Sequence, residues 1–129
     1  MSWHQIKRNP ADILFSKYIR AKAKGKCERC GKVCEINGER IGQLECSHYF
    51  SRRINATRYD PENCYSLCSG CHKRMGGHQR DGKGEYDLWV KSRLGDRAYS
   101  LLCLRAETYH KKDPKADLLF VKELMKELY

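Results

Sequence analysis

Cys27-Glu28-Arg29-Cys30-Gly31 and Cys68-Ser69-Gly70-Cys71-His72 are the two stretches that decide how this chain is built. Each is a CxxC turn that can point two sulfurs at one ion, and together they offer four thiolates, the donor set of a tetrahedral structural zinc. Cys30 and Cys68 lie 38 residues apart, too far for a minimal zinc ribbon, so a substructure is expected between the knuckles. Cys34 is an alternative to Cys30 as ligand, at a less regular spacing. Cys103, inside Leu101-Leu102-Cys103-Leu104, reads as core. Cys46 and Cys64 carry no assigned role.

Outward from the knuckles, the pattern predicts a small α+β chain, read as one domain over residues 1–129: an N-terminal helix (1–26), a zinc-knuckle core (27–80) and C-terminal helices (81–129). Asn9-Pro10 reads as an N-cap with proline at the first helical position, and Ile13, Leu14, Tyr18 and Ile19 as the buried face of the helix that follows. Val33–Ile36 and Arg40–His48 are expected to pair as strands around the turn Asn37-Gly38. Cys64–Leu67 reads as a short strand, with a helix starting near Ser69 or just after Cys71. Glu85–Leu94, closed by Gly95, and Asp96–Arg105 read as helices. Asp113-Pro114 caps a last one, with Leu118, Val121, Leu124, Met125 and Leu128 along one side as core or dimer contacts.

Lys and Arg number 26 against 16 Asp and Glu, a formal net charge of +10, which favours a polyanionic partner, nucleic acid above all. Only 40% of the residues are hydrophobic, so the core is modest and a metal staple adds needed stability. No stretch is apolar enough to span a bilayer, and Met1-Ser2-Trp3-His4-Gln5 lacks a signal-peptide core. The expected compartment is a reducing cytoplasm, that of a bacterial host cell, where eight Cys read as metal ligands before disulfides.

Between the knuckles, His48 precedes Asn63 by fifteen residues and His72 by twenty-four. That is the order and approximate spacing of an HNH nuclease, which sets a general base on a strand, an Asn in the loop and a metal ligand on the helix. Phosphodiester hydrolysis needs these parts. A neutral imidazole takes the water's proton, and a divalent cation neutralises charge on the phosphate and on the departing oxygen. The catalytic set is therefore His48, Asn63 and His72, with a catalytic Mg²⁺ or Mn²⁺ separate from the structural Zn²⁺. His78 is open between a ligand of that cation, a phosphate contact and a solvated side chain. Arg52, Arg53, Arg58, Lys73 and Arg74 are expected on DNA phosphates.

Cys27-x-x-Cys30-Gly, Ser47-His48-Tyr49, Arg58-Tyr59-Asp60-Pro61-Glu62-Asn63, Cys68-x-x-Cys71, Gly77 and Ser92-Arg93-Leu94-Gly95 together resemble the phage NinG (Rap) recombination protein family, over roughly Cys27 to Gly95. The knuckle arrangement is also similar to that of the phage junction resolvase called endonuclease seven. The resemblance implies a zinc-stapled ββα-metal (HNH-like) core and cleavage of branched DNA such as Holliday junctions and D-loops during recombination. It implies Cys27, Cys30, Cys68 and Cys71 as zinc ligands, His48 as catalytic histidine, and His72, where many relatives have Asn, as a contact to the catalytic metal. This sequence departs from the usual HNH pattern in carrying Ser47 where Asp or His precedes the base; Glu45 is the nearest carboxylate that can replace it as a ligand. The implied partner is branched DNA, and cutting two symmetric strands favours a homodimer. Two rivals stand beside this reading: an HNH endonuclease nicking ordinary duplex DNA, and a non-catalytic zinc DNA-binding module.

Overall fold

The computed structural model describes residues 7–76 and 80–128. Among them are five α-helices and two antiparallel two-stranded sheets, a small α+β arrangement. Helix α1, Pro10–Lys22, starts on a reciprocal cap: Asn9 Oδ1 accepts from Asp12 N at 2.9 Å and Asp12 Oδ2 accepts from Asn9 N at 2.8 Å. Its buried stripe is Ala11, Phe15, Tyr18 and Ile19. Ile13, expected on that face, is 50% exposed, and Leu14 is only partly covered. The larger Phe15 sets the inward direction, and Ile13, two residues away, sits about 200° round the helix.

After α1 the chain turns through Gly25, whose φ of +72° and contact with Glu35 exclude any side chain; a Cβ there would lie 2.5 Å from the Glu35 carbonyl oxygen. The first knuckle follows. Next come β1, Glu35–Ile36, and β2, Glu39–Arg40, joined by Asn37 and Gly38 with φ of 51° and 83°, the left-handed pair that a tight hairpin requires.

The expected long second strand of this hairpin is not continuous. Ile41 N and Gly42 N both donate to the Cys34 carbonyl, at 2.8 and 3.1 Å, which folds the chain over Cys34 and releases it from β1. It restarts as β3, Leu44–His48, and takes a different partner, β4, Cys64–Cys68, in the antiparallel register Leu44↔Cys68 to His48↔Cys64. Helix α2, Ser69–Met75, begins at the next residue.

Helices α3, Glu85–Leu94, and α4, Asp96–Glu107, close one core over β3 and β4, through Tyr86, Val90 and Leu102 against Leu44, Leu67, Tyr49 and Tyr65. Helix α5, Pro114–Met125, closes a second with α1: Val121 is fully buried beside Phe15, Tyr18 and Ile19, with Leu118, Leu124, Met125 and Leu128 packed on the rim. The apolar stripe of α5 is thus internal core, while Leu119 and Phe120 face outward. Among the described residues no helix is long and apolar enough to cross a membrane.

The second core is pinned by a buried ion pair. Arg58 Nε and Nη2 reach Asp12 Oδ1 and Oδ2 at 2.9 and 2.6 Å, with both side chains under 5% exposed. Burial alone would raise the Asp12 carboxyl; hydrogen bonds from Arg58 and from the Asn9 backbone outweigh it and hold the group below its ordinary 3.8. Asp12→Ala or Arg58→Ala, each leaving a buried charge unpaired, should cost about 3–5 kcal/mol in urea unfolding. A loss under about 1 kcal/mol would contradict a buried pair. Because the folded carboxyl titrates low, its stabilisation is complete above the ordinary carboxylate range and is lost as pH falls through the lowered value.

Candidate metal centre and catalytic residues

The sulfurs of Cys27, Cys30, Cys68 and Cys71 all lie within 4.8 Å of one another. The first knuckle presents its pair through a tight turn in which Cys30 N points at Cys27 Sγ (3.5 Å) and Gly31 N bonds Cys27 O (2.9 Å). The second presents its pair through the start of α2, where Cys68 is the N-cap and its sulfur faces Cys71 N at 3.5 Å. A zinc–sulfur bond of about 2.3 Å in tetrahedral geometry sets neighbouring sulfurs about 3.8 Å apart; Cys30 Sγ and Cys68 Sγ are 3.8 Å apart.

Burial, together with hydrogen bonds to Cys68, Cys27 and Cys30, pushes the Cys71 thiol up to about 12. So crowded a set resists full ionisation until a cation joins it. The donor set and the spacing fit a metal ion such as zinc, with Cys27, Cys30, Cys68 and Cys71 holding it. Cys34 is fully buried outside this group, its thiol against the Lys32 carbonyl. All eight cysteines are free thiols.

His48 ends β3. Its Nε2 is 2.8 Å from the Arg58 carbonyl oxygen, a contact that requires an Nε2–H donor and leaves the lone pair on Nδ1. Burial pulls its pKa down to about 4, and the nearby Arg52 charge adds to this, so the ring is neutral at working pH. Asn63 is fully buried, and the hydrogen bonds of its side chain go to groups other than His48. Its Oδ1 accepts from Phe50 N at 2.8 Å, and its Nδ2 donates to the Phe50 and Thr57 carbonyls at 3.0 Å each. It thereby fastens the loop that carries the Arg58 carbonyl.

Alternation along β3 turns Glu45 and Ser47 away from the face that carries Cys46 and His48. On their side His72, from α2, meets Glu45 at 3.1 Å (Nδ1 to Oε1), both partly exposed. Ser47 is 1% exposed and bonded to the Tyr86 hydroxyl at 2.8 Å, so it is not free to ligate. The structure therefore brings His72 to Glu45 and Asn63 to the His48 loop. It does not bring His72 to His48, and among the described residues His72 joins no group of three ligand atoms. His78 lies outside the described residues.

Of the five expected phosphate contacts, Arg58 is corrected: its guanidinium is buried and spent on Asp12. Lys73 and Arg53 are exposed, Arg52 is partly covered, and Arg74 pairs with Glu85 at 3.3 Å. The sequence reading missed Asp12 and the Arg58 carbonyl, which steady His48. It also missed Cys46 and Cys64, which lie beside His48 only once β3 and β4 pair. No family model, curated protein or solved structure matches this chain.

Cys27→Ser or Cys71→Ser should strip the tightly held metal and remove on the order of 10 kcal/mol of folding free energy, giving unfolded or insoluble protein. Metal analysis together with thermal unfolding checks this. Variants that keep the parent's metal content and stability would overturn the four-cysteine site.

Proposed function

We propose that this chain is a metal-dependent DNA endonuclease with a ββα-metal core, acting on branched DNA in the manner implied by its resemblance to the NinG family. The observation that carries the reading is the bond from His48 Nε2–H to the Arg58 carbonyl, in a loop fastened by Asn63. A general base for hydrolysis must be neutral, of one tautomer and held in place. The Arg58 carbonyl selects the tautomer, the Asp12 ion pair and Asn63 hold that carbonyl, and burial keeps the ring neutral. A non-catalytic zinc DNA-binding module is the second reading, and the separation of His48 from His72 is the feature that favours it.

The order β3, β4, α2 supports the nuclease reading, because an antiparallel pair runs into the helix after it and the four-cysteine site joins the end of β4 to that helix. Glu45 and His72, with one carboxylate oxygen and one imidazole nitrogen 3.1 Å apart, are the pair that would hold the divalent cation, on the opposite face of β3 from His48, so one phosphate would have to meet both at the strand end. Bound Mg²⁺ or Mn²⁺ supplies charge neutralisation at the phosphate and the leaving oxygen. The chain's own contribution is positional and protonic. Nδ1 of His48 accepts the proton of the attacking water, and Arg53, in the loop between β3 and β4, and Lys73, on α2, both exposed, hold the backbone.

Purified protein with Mg²⁺ or Mn²⁺ should cut four-way junctions or flaps in preference to linear duplex. His48→Ala should lower the rate by about 10² to 10⁴ while DNA binding and tightly held zinc stay as in the parent. Absence of cleavage of any branched or linear DNA defeats the enzyme reading; a parent-like rate in His48→Ala moves the base elsewhere. Affinity should fall with salt at a slope of roughly −0.9 per phosphate neutralised, and Arg53→Ala or Lys73→Ala should each make that slope shallower by about one contact. An unchanged slope in both variants would remove these side chains from the DNA interface.

A further inference from the structure

Beside the four-cysteine site, on the face of the β3–β4 pair that meets α1, a second group of ligand atoms converges. Cys46, His48 and Cys64 bring two sulfurs and one ring nitrogen within 4.8 Å of one another. The strand register explains the meeting. His48 and Cys64 are directly paired across the strands, and Cys46 lies two residues before His48, diagonal to Cys64 on the same face. Burial, with the Cys46 side chain beside it, pushes the Cys64 thiol well above its ordinary value.

We propose that Cys46, His48 and Cys64 form a second metal site, for a thiophilic divalent cation of the zinc class. The donor set selects the metal. Two thiolates and an imidazole suit Zn²⁺, Co²⁺ or Cd²⁺, and without a carboxylate the group is poor for Mg²⁺ or Ca²⁺. Binding releases one proton from each thiol, so two thiolates and one dication make a neutral complex. Neutrality suits a place walled by the Phe15 ring, whose centroid is 6.3 Å from that of His48.

The Arg58 carbonyl takes the Nε2–H of His48, which leaves Nδ1 as the nitrogen open to an ion, the hydrogen-bonding pattern of metal-bound imidazoles. Cys64 is buried and Cys46 only partly so, so an ion would reach the group from the Cys46 side. Because Nδ1 of His48 would serve both, an ion held here and the general-base role proposed above exclude one another. The metal site itself stands on the three ligands and does not depend on nuclease activity.

The test uses the full chain loaded with one tightly held zinc, kept reduced by a non-chelating thiol reductant and titrated with Co²⁺. A second equivalent should bind and give thiolate-to-cobalt charge-transfer absorption. Cys46→Ser, a change at a partly exposed side chain, should weaken that equivalent by about 100-fold or more, and His48→Gln should do the same. Both should keep the first zinc, which reports an intact fold. Binding of a single equivalent by the parent, or a second equivalent with parent affinity in both variants, would overturn the site.

Discussion

Four sulfurs confined within 4.8 Å of one another tie residues 27–30 to the end of β4 and the first turn of α2. Much of the chain takes its position from that constraint. The first knuckle does not merely approach β4 but docks on it: Glu28 N bonds the Ser66 carbonyl, Glu28 Oε2 accepts from Ser66 N, each at 2.7 Å, and Ser66 Oγ bonds the Lys26 carbonyl at 3.0 Å. Arg29 then reaches both Cys71 Sγ and Glu85, and Arg93 reaches Glu28 at 2.8 Å, so α3 is keyed to the same turn. A seven-residue helix and two-residue strands are too short to hold by themselves. The cluster supplies the fixed point that they lack.

The loop between β3 and β4 is held by different means. It has no regular structure beyond two single-turn 3-10 segments, Asn55–Thr57 and Pro61–Asn63, yet its middle is buried. Asn63 ties its two ends together, and Arg58 ties its centre to the cap of α1 through Asp12. Arg105 from α4 braces the outer turn through Asp60 and Glu62, at 2.7 and 2.9 Å. One backbone carbonyl in that braced loop faces His48. The first cap of the N-terminal helix and the protonation state of a histidine in the sheet are thereby parts of one network.

Local chemistry made some of this legible in the sequence. The Asn9-Pro10 and Asp113-Pro114 caps, the Asn37-Gly38 turn, the stop at Gly95 and the paired knuckles each declare themselves within a few residues, and each lies where it was expected. What depends on distant partners was not legible. Nothing near Arg40–His48 says that the strand breaks at the Cys34 carbonyl and pairs with β4. Arg58 reads as one more basic loop residue until Asp12, 46 positions away, removes it from the surface. The gathering of Cys46, His48 and Cys64 follows only from the β3–β4 register, which composition and spacing leave open.

His48 is held neutral by burial, with Nδ1 as its lone pair, against a carbonyl that the Asn63-fastened loop presents. Long-range ¹H–¹⁵N correlation of the imidazole rings at neutral pH, in protein carrying one equivalent of zinc, reads this directly. The expected result is a neutral Nε2–H tautomer for His48 that is lost or mixed in Asn63→Ala. An imidazolium, an Nδ1–H tautomer, or a His48 signal identical in the two proteins would contradict it.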